Sequence, residues 1–179
     1  MTKSQINKNI SLTIHSLGNS GEGIGDWHGY TVYVEGALPG EIIEAQLTEQ
    51  HHSYGRARLN VIVTPSPSRV EPICPLFHEC GGCQIMHLNY SDQLHFKQQQ
   101  VVKALEKIGK ITHIEVPACI PSPSSLGYRN KIQLPVQSEG SECRIGLYAR
   151  NSHEIIDVDN CAVHCELGET IYKKVTFSI

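Results

Sequence analysis

No stretch of the chain approaches the ~18 consecutive apolar residues that a bilayer span needs, and the opening MTKSQINKNI has two lysines with no apolar segment behind them. Neither a membrane protein nor an exported one is expected, and the chain reads as soluble and cytoplasmic, with no membrane partner. Without export there is no oxidising compartment, so the seven cysteines, an odd number, are not expected to form a disulfide framework. Excess positive charge is also missing. The net charge is -3, and only residues 121–150 are net positive, with four basic side chains against two acidic ones. Any nucleic-acid surface must therefore be local and shaped, because bulk electrostatics will not supply it. There is no internal repeat and no low-complexity tract. The 179 residues, 40% of them apolar, can bury the core of one medium domain or two small ones.

The first 65 residues carry β-branched or alternating segments, ISLTIHSL, TVYVEG, EIIEAQLTEQ and GRARLNVIV. Between them lie GNSGEGIGD, ALPG and QHHSY, which are turn chemistry. The spacing predicts a small antiparallel barrel of the OB-like sort. GNSGEGIG lacks the following helix that a dinucleotide loop needs, since DWHGYTVYVEG reads as strand, so it is expected to be a turn of the barrel. PSPSRVEP, with three prolines in eight residues, reads as a linker. NYSDQLHFKQQQVVKALEKIGK predicts an amphipathic helix with Ser91 as N-cap, Gly109 at its end, and Leu94, Val101, Val102, Leu105 and Ile108 on one face. Strands resume at YRNKIQLPV, CRIGLYAR and HEIIDV, and AVHCELGETIYKKV begins a further helix. The fold class is mixed, β-dominant α+β.

CPLFHECGGC places Cys74, Cys80 and Cys83 in one loop, spaced C-x5-C-x2-C. Three thiolates leave a tetrahedral site one ligand short, and Cys119, Cys143, Cys161 and Cys165 are the candidates for the fourth. A zinc site would want a second close-spaced half-site, for which Cys161-x2-His164 is passable. An iron–sulfur cluster accepts three local cysteines and a remote one, because each ligand binds its own iron. Gly81 and Gly82 suit a cluster by letting the backbone turn sharply and offer amide N–H groups to sulfide. The spacing favours a cluster over zinc, and both over ordinary buried cysteines, but it matches neither ferredoxins nor the C-x3-C-x2-C of radical enzymes.

GEGIG, VEGALPGE, YGRARL, CPLFHECGGCQIMH, LGYRNKIQL and GLYARNSHEIIDVDNCAV, in this order, cover the chain from about residue 10 to about residue 174. With them the sequence resembles the N-terminal part of the RNA (uracil-5-)-methyltransferases, most closely the bacterial members that act on large-subunit rRNA and carry an iron–sulfur cluster. The resemblance implies a five-stranded TRAM barrel at residues 1–66, binding RNA. Residues 67–110 would hold a linker, the cluster loop and the amphipathic helix, and residues 111–179 an incomplete β-rich RNA-binding domain. It implies a 4Fe-4S cluster held by Cys74, Cys80, Cys83 and, from VDNC, Cys161, with Cys119, Cys143 and Cys165 spare. It also implies that S-adenosylmethionine, the nucleophilic cysteine and the base belong to a Rossmann domain absent from these residues, whether downstream or separately encoded. No catalytic residue is expected here, and the chain alone is expected to transfer no methyl groups.

For RNA, and rRNA by the resemblance, the best local candidates are Tyr128, Arg129 and Lys131. They set a stacking ring beside phosphate-binding cations in the net-positive stretch. Tyr54 and Arg56 follow the same logic in the barrel. An alternative of another class is a free-standing TRAM-type RNA-binding adaptor with a structural zinc or iron–sulfur site, and a third is a small electron carrier.

Overall fold

The structure, a computed structural model, describes residues 6–139 and 142–176, so MTKSQ, residues 140–141 and the final residues 177–179 lie outside the described residues. The described chain forms two compact units, residues 1–71 with 87–119, and residues 72–86 with 120–179. None of its helices is long and apolar enough to cross a membrane.

The first unit is a closed five-stranded barrel. Its strands are β1 (Asn9–Leu17), β2 (Gly23–Trp27), β3 (Tyr30–Glu35), β4 (Ile42–Gln50) and β5 (Tyr54–Thr64), in the order β1-β2-β3-β5-β4. Alternation sends Ile10, Leu12 and Ile14 of β1 inward to meet Trp27, Val32, Val34, Ile43, Ala45 and Leu47. Each such Ile, Leu or Val side chain contributes about 1.5–3 kcal/mol by leaving water.

Two expectations are corrected here. GNSGEGIGD is not all turn, because Gly23–Trp27 is a strand paired to both neighbours. Its glycines are there for space: a Cβ on Gly25 would lie 2.5 Å from Leu12 Cδ1 and 2.8 Å from the Thr13 carbonyl oxygen. The barrel is also not wholly antiparallel, since β3 and β5 run parallel. Five strands in a closed ring cannot all alternate in direction, so one parallel pair is forced.

The proline-rich segment after β5 is tied down rather than loose. Ser66 is buried, and Arg69 forks onto the fully buried Glu41, with Nε 2.6 Å from Oε1 and Nη2 2.9 Å from Oε2. Arg69 Nη2 also donates to the Gly36 carbonyl at 2.6 Å. Helix α1 (Tyr90–Lys107) belongs to the same unit. Its N-cap is Asn89 rather than Ser91, because Asn89 Oδ1 accepts from the Asp92 N–H at 3.0 Å while the Ser91 hydroxyl only supports Asn89. Leu94, Val102 and Leu105 are half-buried, but Val101 is 49% and Ile108 84% exposed, so the covered face is narrower than the periodicity suggests. At its end the left-handed residue is Lys110, not Gly109.

The second unit holds the three-stranded sheet β6 (Val136–Glu139), β7 (Glu142–Tyr148) and β8 (Ile155–Asp157), then helix α2 (Glu166–Thr176). The segment YRNKIQLPV is not a regular strand until Val136. Before that, only Arg129 makes a bridge, parallel to His164.

Candidate metal centre

The cysteine loop winds through consecutive turns. The Phe77 N–H donates to the Cys74 carbonyl at 3.1 Å and the Cys80 N–H to the Leu76 carbonyl at 2.7 Å, so Cys74 and Cys80 end one compact bend. Cys80 then bridges Ala149 just past β7, and the Gly81 N–H donates to the Tyr148 carbonyl at 3.0 Å. Gly81 is therefore not a free donor to sulfide. The Gly82 N–H does reach a sulfur, Cys80 Sγ, at 3.3 Å. Neither glycine has a positive φ. What Gly82 supplies is closeness, because a Cβ there would stand 3.3 Å from Cys80 Sγ.

Arg150 fastens this loop, and the sequence reading missed it. Its Nη2 donates to the carbonyls of Phe77 (2.6 Å) and Cys83 (2.7 Å), its Nε also reaches Phe77 O at 3.2 Å, and its guanidinium lies 4.8 Å over the Phe77 ring. One side chain thus spans the loop from Phe77 to Cys83. No local periodicity marks Arg150; only its place inside GLYARNSHEIIDVDNCAV set it apart.

The remote cysteine arrives by a second route. The Arg129 N–H donates to the Val163 carbonyl at 2.8 Å and its carbonyl accepts from the Cys165 N–H at 2.9 Å, which pins the turn that follows Cys161. Glu169, in the first turns of α2, accepts from the Cys161 N–H at 3.2 Å and from buried His164 Nδ1 at 2.7 Å.

These contacts bring four of the seven cysteines around one cavity. Cys74, Cys80, Cys83 and Cys161 line it together with Phe77, Met86, Leu147, Val158 and Val163, and with Arg129. Burial pushes the Cys83 thiol up, and Cys161, Cys80 and Cys74 add to this while Arg129 opposes it. Burial likewise raises the Cys161 thiol, against hydrogen bonds from the backbone of Val163 and His164, with Glu169 and Cys74 raising it further. Cys143 is exposed, Cys119 lies in the other unit, and Cys165 does not line the cavity. None of the seven is disulfide-bonded.

The candidates for RNA contact are not brought together in the same way. Tyr128 is 55% exposed and Lys131 is exposed, whereas Arg129 between them is half-buried against the cysteines. In the barrel, the Tyr54 ring stacks on His51 at 4.5 Å and meets Tyr33 edge-on at 5.5 Å. Arg56 is exposed and its Nε lies 3.7 Å from Glu49 Oε2.

Residues 3–59 match the TRAM domain model. The chain is 40% identical over 168 residues to an uncharacterized RNA methyltransferase of Listeria innocua, covering 94% of this chain and 37% of that protein. It is 39% identical to another of Halalkalibacterium halodurans, covering 98% and 39%. The chain thus spans little more than a third of the length of these curated relatives. Among solved structures, it is similar to the Pyrococcus abyssi tRNA (uracil-54, C5)-methyltransferase in complex with S-adenosyl-L-homocysteine. That likeness has a TM-score of 0.58 and 27% identity, covering 93% of this chain and 36% of that one. The chain carries a TRAM domain and is related over nearly its whole length to RNA methyltransferases.

Proposed function

We propose that residues 1–179 are the RNA-binding, cluster-carrying part of an S-adenosylmethionine-dependent RNA (uracil-5-)-methyltransferase acting on rRNA. The observation that carries this reading is the selection of cysteines. Of seven, the four that line one cavity are Cys74, Cys80, Cys83 and Cys161, and the other three stand elsewhere. The donor set fits a 4Fe-4S cluster, in which each thiolate holds a separate iron. A single zinc ion would instead draw its donors to one centre, at about 2.3 Å for sulfur, and the metal analysis below separates the two.

Cys74, Cys80 and Cys83 from the loop and Cys161 from the turn before α2 would hold the cluster. When bound, it would cross-link two remote chain segments through four metal–thiolate bonds. The chain's own residues prepare this: Arg150 shapes the loop and Glu169 holds the Cys161 backbone. A site so tied to the sheet favours a structural role over a freely cycling electron carrier. The TRAM barrel and the exposed Tyr128 and Lys131 then bind and orient RNA by stacking and phosphate contact. The S-adenosyl-L-homocysteine in the Pyrococcus abyssi complex supports S-adenosylmethionine as the donor for the whole protein.

Metal analysis of anaerobically purified protein tests the reading. Iron and acid-labile sulfide are expected in equal amounts, about four of each per chain. Stoichiometric zinc without sulfide contradicts it. Binding to a uridine-containing oligoribonucleotide is expected to weaken linearly in log–log form as salt rises, and salt-independent binding contradicts the RNA-contact part.

A further inference from the structure

Arg129 has no place in the ligand set, yet it lines the cysteine cavity with all four thiols. Its backbone is fixed on both sides, donating to the Val163 carbonyl and accepting from the Cys165 N–H, in a parallel bridge to His164. That bridge sets residue 129 beside the turn that carries Cys161. The flanking Tyr128 and the nearby Lys131 are exposed, while Arg129 is half-buried. Arg69 is matched by Glu41 and Arg56 by Glu49, but among the described residues no carboxylate pairs with Arg129. Arg150, the other arginine near the loop, already has its guanidinium on the Phe77 and Cys83 carbonyls. Glu169, which also reaches the Cys161 turn, is turned to His164 and the Cys161 N–H.

A half-buried guanidinium keeps its charge, and a charge away from bulk water acts more strongly than one at the surface. Its neighbours here are thiols that become thiolates once they hold metal. Four thiolates outweigh the positive charge of the iron–sulfide core and leave a net anion. Reduction by one electron, supplied by dithionite in the test below, adds a further negative charge and breaks no bond.

We infer that Arg129 is the charge partner of the four-thiolate cluster, raising its reduction potential and retaining it, and is not the phosphate contact its exposed neighbours suggest. This rests on the cluster reading above. An optical redox titration with dithionite under argon compares wild type, Arg129→Gln, Arg129→Lys and Lys131→Gln, with iron and sulfide measured on each. The midpoint is expected to move to more negative potential in Arg129→Gln and to stay close to wild type in Arg129→Lys and Lys131→Gln. If dithionite does not reduce the wild-type cluster, iron release to a chelator is the readout, faster in Arg129→Gln alone. If Arg129→Gln purifies without iron, Arg129→Lys decides: a retained cluster shows that charge is what matters, and loss in both variants overturns the assignment. On a uridine-containing oligoribonucleotide, Lys131→Gln is expected to lower the salt slope by about one and Arg129→Gln to leave it unchanged. An unchanged midpoint and unchanged iron release in Arg129→Gln, or a lowered RNA slope, overturns the proposal and leaves the cluster intact. Wild type without sulfide overturns both.

Discussion

Glu41 is fully buried and ionised. Burial raises its carboxyl, but the hydrogen bond from Arg69 and those from the Leu38 and Ser66 amides outweigh this and hold it below its ordinary value of 4.5. A carboxyl depressed in the folded state stabilises the fold fully above its unfolded value, and that stability is lost as pH falls through the folded one. Barrel stability, followed by the single tryptophan, Trp27, is expected to fall as pH drops below about 4.5 toward the lower folded value. Glu41→Gln strands the Arg69 guanidinium and is expected to cost about 3–5 kcal/mol at pH 7, with a shallower acid dependence. A variant with wild-type stability and pH profile contradicts this account. Arg150 acts at the same scale. Hydrogen bonds from a charged donor contribute about 1.5–3 kcal/mol each, so Arg150→Gln is expected to speed amide exchange across residues 74–83 on the order of tenfold or more. Unchanged exchange there rules out its role as the fastener of the loop.

At the scale of elements, the entry to α1 separates two readings of NYSDQ. Asn89 accepts the Asp92 N–H and is the cap, so Asn89→Ala is expected to cost about 1 kcal/mol, while Ser91→Ala costs a few tenths at most. Equal losses in urea melts would return the cap to Ser91. The helix was legible because its apolar period is long, and its edge was not, because Asn89 and Ser91 both suit a cap and only the backbone path chooses between them. β2 was hidden for a different reason. Gly23 and Gly25 read as turn residues, yet their role is to let β1 and the segment after β3 approach, a requirement set by strands distant in sequence. Alternation does expose β1, whose inward side chains are all aliphatic. The parallel β3–β5 pair follows from the count of strands, so missing one strand also hid the pairing that closes the barrel.

At the scale of the whole molecule, spacing alone could group three cysteines but not say whether Cys161 or Cys165 joins them at the cavity, since the two sit four residues apart in one stretch. What separates them is the Arg129–His164 bridge and the Glu169 contact, both made by segments remote from the loop. The place of Arg129 beside the cysteines was hidden for the same reason, because its backbone partners lie in a different part of the chain. The central claim is that Cys161 completes a four-iron cluster with the loop cysteines, and native mass spectrometry of anaerobically purified protein tests it most directly. Four irons and four sulfides are predicted on wild type and on Cys165→Ser, and no intact cluster on Cys161→Ser. A full cluster on Cys161→Ser, with loss on Cys165→Ser, contradicts the account.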